Sequence, residues 1–416
     1  PARARRGLLV LALFINLGML AFFKYAGFCV EQLNALLTAC GLEPLYLRTP
    51  HLPIGISFFT FQALSYVIDV YRGVVTPQRN PLHFGLYLSL FPQLIAGPIV
   101  RYRDVAAQIA ARVVTREGFA LGVQRFIIGL GKKMLLANTL AAAADRAFAT
   151  PPGDLSLAAA WLGLFCYSLQ IYFDFSGYSD MAIGLGKMFG FDFLENFNYS
   201  YVARSITEFW RRWHLSLSSW FRDYLYVPLG GNRQGTRRTY ANLMIVFLLC
   251  GLWHGASWTF VAWGAYHGLF LVLERLGLGR RLEQVGLPVQ HAYTLLVVMA
   301  GWVLFRADTL ALAMSYFEAL LGLGAGGLWS PLVLEHCTLE TLLVLLIAVP
   351  GATPVLPTLR AWAARHFESW REQERLAWPL EIAYHGLGTL GLGTVFALSA
   401  CSLAGGTYNP FIYFRF

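Results

Sequence analysis

Three clusters of ionisable residues sit in or beside long apolar stretches of this chain, and each is a candidate for chemistry. The sharpest is Gly251-Leu252-Trp253-His254-Gly255, a histidine between an indole and a glycine at the end of an apolar run. A neutral imidazole, with an ordinary pKa of about 6.5, can take the proton of a hydroxyl as that hydroxyl attacks a carbonyl. Gly255 would let the backbone turn and let a substrate come close. The plainer account of His254 is a histidine that merely hydrogen-bonds two helices together. His267, thirteen residues on, reads by default as a satisfied structural histidine.

The second cluster is Thr207-Glu208-Phe209-Trp210-Arg211-Arg212-Trp213-His214. On a helix Glu208 faces Arg211 and Arg212, at i+3 and i+4, and can neutralise one of them. The surplus guanidinium, together with Arg222, suits a phosphate or carboxylate, while His214 falls at the inner edge of the apolar core. The competing account is an interfacial anchor that snorkels, with its tryptophans at headgroup level. The third cluster, Asp174-Phe175-Ser176-Gly177-Tyr178-Ser179-Asp180, holds two carboxylates six residues apart that do not share a helical face. Paired acid and base catalysis is therefore poorly supported. Partners for the arginines, or caps around a helix break at Gly177, are the favoured roles, and Asp174 is kept as a substrate-binding candidate together with Arg211, Arg212, Arg222, Glu208 and Trp253.

Other chemistries are not suggested. The chain lacks a GxSxG elbow, a Walker A loop and an HExxH pair, and no histidine has aspartate five residues later. The six cysteines are scattered without a CxxC pair, so neither a zinc site nor a disulfide framework is expected, and no metal or bound cofactor either. An aspartate-based glycosyltransferase is not excluded by pattern.

What must position these clusters is a bilayer. The chain has 416 residues, 57% hydrophobic and 13% charged, and a mean hydropathy of +0.53, too apolar for a soluble surface. About nine to eleven segments approach the roughly 20 apolar residues that cross hydrocarbon. Little sequence remains between them, which predicts an all-α polytopic bundle and one integral membrane domain over 1–416. The net charge of +9 follows the loops beside apolar segments, so topology rather than nucleic acid explains it.

Arg3, Arg5 and Arg6 place the start of the chain in the cytoplasm and a first span over residues 7–24. There is no small-residue cleavage site of a signal peptide, and the opening Pro1 in place of Met suggests a fragment. A second span, 54–70, returns to Arg72 and Arg79. The stretch 84–100 cannot simply exit, because Arg101, Arg103, Arg112 and Arg116 follow it; Pro92, Gly97 and Pro98 mark it as a broken or re-entrant helix. Further spans are expected over 119–142, 155–173, 291–305, 341–356 and 382–400, with an interfacial amphipathic helix over 360–375. Residues 242–253 enter from the Arg204 to Arg238 side, turn near Gly255, and return over 259–273, which puts His254 deep.

Several long segments also resemble a known family. LPIGISFFTFQALSYVIDVYRG (52–73), FPQLIAGPIVRYRD (91–104), QIYFDFSGYSDMAIGLGKMFGF (170–191), SITEFWRRWHLSLSSWFRDYLYVPLGGNR (205–233) and GLWHGASWTFVAWGAYHG (251–268) are similar to membrane-bound O-acyltransferases, in particular the alginate O-acetyltransferase AlgI branch. The likeness is continuous from about residue 8 to 275 and is most distinctive over 52–275.

The resemblance implies a bundle with broken helices and a central channel in the bacterial inner membrane. An acyl thioester such as acetyl-CoA would arrive from the cytoplasm and an acceptor from the exterior, for O-acetylation of an exported polysaccharide, directly or through a periplasmic relay protein. It also implies that His254 is catalytic and that His214 is the second polar residue of the site. The diphosphate end of the donor would then meet Arg211, Arg212 and Arg222. D-alanyl transfer of the DltB type is the rival within the class, and the GASW that follows His254 favours the alginate branch. A glycan transporter is the rival outside it, since broken helices and intramembrane charges suit transport too, although no repeated halves are found. Alginate, cellulose and peptidoglycan all remain open as acceptors.

Overall fold

The computed structural model describes residues 2–47, 50–371, 374–406 and 411, and among these there is no strand. The architecture is all-α, as the composition requires. Helix α1 (Ala2–Ala39) is apolar from Leu8 onward and runs 38 residues without a breaker, so at 1.5 Å per residue it extends about 57 Å. It continues well past residue 24, where the sequence reading ends its first span. Helix α2 (Ile56–Arg72) stops at Gly73, whose φ of 76° allows its N–H to reach back to Val70.

The expected broken helix is present. Helix α3 (Pro81–Ser89) begins at an Asn80 cap with Pro81 in its first turn, and after a short α4 (Phe91–Leu94) the chain is irregular to Arg101. Buried irregular backbone needs partners. The Tyr87 hydroxyl supplies some, donating to Val100 O at 3.1 Å and Gln62 O at 3.3 Å, and Gln93 Nε2 donates to Tyr87 O at 3.1 Å.

Helices α5 (Tyr102–Ala110) and α6 (Arg116–Gly131) follow, and α6 joins α7 (Asn138–Ala149) through a π-helical turn at Lys132–Ala137. Helix α8 (Leu157–Met188) packs against both and is buried through most of its 32 residues. It is not broken at Gly177. That glycine is a point of close approach, since a Cβ there would lie 2.8 Å from Gly129 O of α6. Asp174 and Asp180 are accordingly not caps; they face the π-helical turn, where Lys133 meets Asp174 at 2.5 Å and Lys132 meets Asp180 at 2.6 Å, with Arg125 also on Asp180 at 2.8 Å. The partners are therefore two lysines and one arginine.

Short helices α9 (Ile206–Trp210) and α10 (Leu215–Phe221) lead through a second π-helical turn to the hairpin of α11 (Thr236–His254) and α12 (Trp258–Leu273). The remainder comprises α13 (Gly279–Glu283), α14 (Leu287–Arg306), α15 (Leu310–Leu320), α16 (Leu332–His336), α17 (Leu339–Gly351), α18 (Val355–Arg371) and α19 (Glu374–Ala404). The expected amphipathic helix coincides with α18 up to residue 371; residues 372–373 lie outside the described ones.

Among the described residues four helical stretches are long and apolar enough to cross a bilayer, Arg3–Ala39, Arg116–Ala149, Leu287–Arg306 and Gly386–Ala404, and a bent pair formed by α17 and Val355–Ala363 makes a fifth. This is fewer than nine to eleven. Helices α2, with 17 residues, and α12, with 16, are too short by that measure, and α8 carries Gln170, Asp174 and Asp180 within its apolar stretch.

Candidate active site

The fold brings the two histidine motifs together. His254 is the last helical residue of α11 and is 8% exposed. Its imidazole is boxed by aromatic rings, with centroids 4.8 Å from Trp253, 5.1 Å from Trp263 and 5.1 Å from Phe305, and its Nδ1 is buried without a hydrogen-bond partner. Gly255 follows in extended backbone, φ −161°, so it is not the torsion that requires glycine here. The requirement is room, because a Cβ would meet the Phe260 ring at 2.1 Å.

His214 caps the start of α10 with φ 46° and ψ 56°, a left-handed conformation that a residue with a Cβ adopts only under constraint. The constraint is visible. Backbone bonds from Leu215 N to Asn196 O and from Asn198 N to Arg212 O, both 2.9 Å, tie residues 196–198 to 212–215. The His214 Nδ1 lies 3.1 Å from Asn196 Oδ1, an atom that also accepts from the N–H and hydroxyl of Ser216 at 3.2 and 2.8 Å. An acceptor opposite Nδ1 places the proton on Nδ1, so Nε2 carries the lone pair. That Nε2 is buried and without a hydrogen-bond partner.

Trp253 lies between the two, its ring 6.3 Å from His214 and 4.8 Å from His254. Its indole also stacks on Phe61 at 5.2 Å. His267, expected to be satisfied, is instead fully buried among Trp210, Trp263 and Tyr266 with no hydrogen-bond partner on either ring nitrogen. Aromatic edges and faces enclose it where polar groups were assumed.

A cavity of about 220 Å³ lies along α11 as far as Cys250, and His254, His214 and Trp253 are not among the residues that line it. Arg211, Arg222 and Arg275 line it together with Trp210, Leu217, Leu243, Phe247 and Cys250, the last of these one turn before His254. Glu208 does not pair with Arg211. It binds Arg212 at 2.8 Å and reaches Arg204 at 3.7 Å, which leaves Arg211 outside every ion pair among the described residues. Burial opposes ionisation of Glu208, yet the Arg204 N–H and the Arg212 guanidinium outweigh it and hold the carboxyl below its ordinary range. Arg222 contacts Asp223 at 2.8 Å, and Arg275 donates to Asn232 Oδ1 at 2.8 Å. Glu208, Arg212 and Asp174 do not line this cavity.

Two site residues escaped the sequence reading. Asn196 lies in a polar loop with no periodicity to mark it. Lys24 of α1 donates to the carbonyls of Trp253 and, at 3.0 Å, of His254; a charge inside an apolar helix was its signal, hidden by ending the first span there.

Residues 77–310, which contain both histidines and the cavity, match the family model of the membrane-bound O-acyltransferases, MBOAT. Similarity extends beyond that segment: the chain is 44% identical over 98% of its length to a Pseudomonas putida protein named "Probable alginate O-acetylase AlgI", covering 84% of that protein. The chain belongs to the membrane-bound O-acyltransferase family. This MBOAT protein is therefore an integral membrane acyltransferase with a helical bundle. It is also 38% identical over 78% of its length to the peptidoglycan O-acetyltransferase of Helicobacter pylori, covering 66% of that protein. Over 64% of its length it is 28% identical to the teichoic acid D-alanyltransferase of Bacillus subtilis, covering 74% of that one.

Proposed function

We propose that this acyltransferase moves an acetyl group from cytoplasmic acetyl-CoA to an exported polysaccharide such as alginate, directly or through a periplasmic relay protein, in the bacterial inner membrane. The observation that carries the reading is the arrangement of two buried imidazoles either side of Trp253, together with a cavity along α11 with three guanidinium groups on its wall. Support for the acetyl and polysaccharide parts comes from the relatives named for alginate and peptidoglycan O-acetylation.

In this reading the diphosphate of the donor is received by Arg211, Arg222 and Arg275, whose planar forks suit phosphate oxygens, and the thioester reaches toward Cys250 and His254. His254 takes the proton of the acceptor hydroxyl as its oxygen attacks the thioester carbonyl. The carbon–sulfur bond breaks, the thiolate leaves, and the proton passes from the imidazole to the thiolate. Positioned proton transfer of this kind contributes roughly 10² to 10⁴ in rate. His214, with its Nδ1 proton fixed by Asn196, offers Nε2 as a second acceptor in the same apolar enclosure. The surrounding aromatic rings exclude water and so protect the thioester from hydrolysis.

The test is the O-acetyl content of exported polysaccharide from cells carrying wild type or His254→Ala at matched membrane abundance. Loss of acetate with normal polymer export supports the reading, and unchanged acetylation overturns the role of His254. Loss of ester-linked D-alanine in place of acetate would point to the teichoic-acid type of reaction. Loss of export itself would indicate a transporter.

A further inference from the structure

The end of α11 solves a problem that helices inside an apolar medium share. The last four carbonyls of a helix have no partner within it, and without water each must find one elsewhere. Here all four are accounted for. Gly251 O accepts from Gly255 N at 3.3 Å, Leu252 O from the Tyr25 hydroxyl at 2.6 Å, Trp253 O from Lys24 Nζ, and His254 O from the same Nζ at 3.0 Å. Three of the four hydrogen bonds come from α1, across about 230 residues of sequence.

At the start of α1, Arg5 makes a comparable contact, its Nη2 donating to Tyr71 O in the last turn of α2 at 3.2 Å. The apolar stretch of α1 is otherwise mostly exposed, and it is joined to the hairpin loop by a bond from Trp258 Nε1 to Gln32 Oε1 at 2.9 Å and by the edge contact of Phe28 with Trp258 at 5.8 Å. Lys24 also lies over the Trp253 ring, 5.9 Å from its centroid. An ammonium at a helix C-terminus opposes the negative end of the helix dipole as well as satisfying carbonyls. The charge therefore sits on the backbone of the two residues whose side chains build the site, and it touches neither imidazole.

We infer that Lys24 is a positioning residue for acyl transfer: by holding the carbonyls of Trp253 and His254, its ammonium fixes the last turn of α11 and with it the direction of the His254 imidazole. The inference rests on the reading of His254 as the base. Removal of the ammonium frees two carbonyls and lets the final turn fray, while the cavity that receives the donor, lined by α9, α10 and the upstream part of α11, keeps its walls. The loss therefore falls on the chemical step and not on donor binding.

The experiment measures CoA release from acetyl-CoA in membrane vesicles of the producing cells, which carry the acceptor, for wild type, Lys24→Met, Lys24→Gln, Lys24→Arg, Tyr25→Phe and His254→Ala. Rates are expressed per molecule that elutes as monodisperse protein after detergent extraction, so that poor folding does not count as lost turnover. The expected result for Lys24→Met is a kcat lower by about 10- to 100-fold with KM for acetyl-CoA within about twofold of wild type. Lys24→Gln, with one neutral donor, falls between Lys24→Met and wild type, Tyr25→Phe loses less, and Lys24→Arg regains part of the rate because a guanidinium can serve both carbonyls. A Lys24→Met enzyme with wild-type kcat per folded molecule overturns the inference, even if its abundance drops, and so does a loss confined to KM. If His254→Ala keeps full turnover, the reading of His254 as the base fails on its own, whatever Lys24→Met does.

Discussion

The Nδ1 of His214 faces Oδ1 of Asn196 at 3.1 Å, and the same oxygen is held in place by the N–H and hydroxyl of Ser216. The tautomer of His214 is thus set by a loop residue, and Nε2 is left as the basic nitrogen inside the enclosure. Asn196→Leu is expected to lower acetyl transfer by about 10²-fold, whereas Asn196→Asp, which keeps an acceptor opposite Nδ1, should lose less. CoA release per folded molecule checks both. Equal rates for Asn196→Leu and wild type would remove His214 from the chemistry.

Among the described residues Arg211 is in no ion pair, and it lines the cavity. One charge-assisted hydrogen bond is worth about 1.5–3 kcal/mol, so Arg211→Gln should raise KM for acetyl-CoA by about tenfold or more with kcat little changed. Arg212→Gln, which leaves Glu208 only the more distant Arg204 and lies outside the cavity, should affect stability before KM. Saturation curves for the two variants separate these effects.

Lys133 and Asp174 form an ion pair 2.5 Å apart that is 5% and 3% exposed. Removing one partner of a buried pair costs about 3–5 kcal/mol, while replacing both with apolar residues is far milder. Asp174→Leu is therefore expected to melt well below wild type in detergent, and Asp174→Leu with Lys133→Met to recover much of that loss. A double-mutant cycle on the melting temperatures gives the coupling.

Asp223, in the π-helical turn after α10, pairs with Arg101 at the start of α5 at 2.7 Å and with its neighbour Arg222 at 2.8 Å. Burial works against its charge, but these guanidinium groups outweigh it and hold the carboxyl below its ordinary value of 3.8. A depressed folded-state pKa means a contribution that is complete above the unfolded value and disappears as the pH falls through the folded one. Thermal stability of wild type should thus drop below about pH 4 more steeply than that of Asp223→Asn. Parallel pH profiles for the two proteins would show that Asp223 adds nothing.

Much of this was legible from residue order. Hydropathy alone requires a helical membrane bundle, the crowd of arginines after residue 100 marks the broken segment, and the turn at which His254 is buried follows from the pattern of residues 242–273. Three things were not legible. Gly177 looks like a helix breaker until Gly129 is seen against it. Glu208 has two arginines in helical reach, and only the early end of α9 selects Arg212. His267 reads as hydrogen-bonded, since nothing in its own helix reveals that Trp210 of α9 lies against it.

The bond from Lys24 to the carbonyl of His254 also orders events in time. The first helix is synthesised and inserted long before α11 exists, and it must wait some 230 residues for the backbone it will cap. Closing so long a loop is slow compared with forming the local hairpin of α11 and α12. A nascent or truncated chain would therefore hold a membrane-embedded histidine whose turn is still unlocked. In the proposed reading, acyl transfer is withheld until an earlier and a later part of the polypeptide meet.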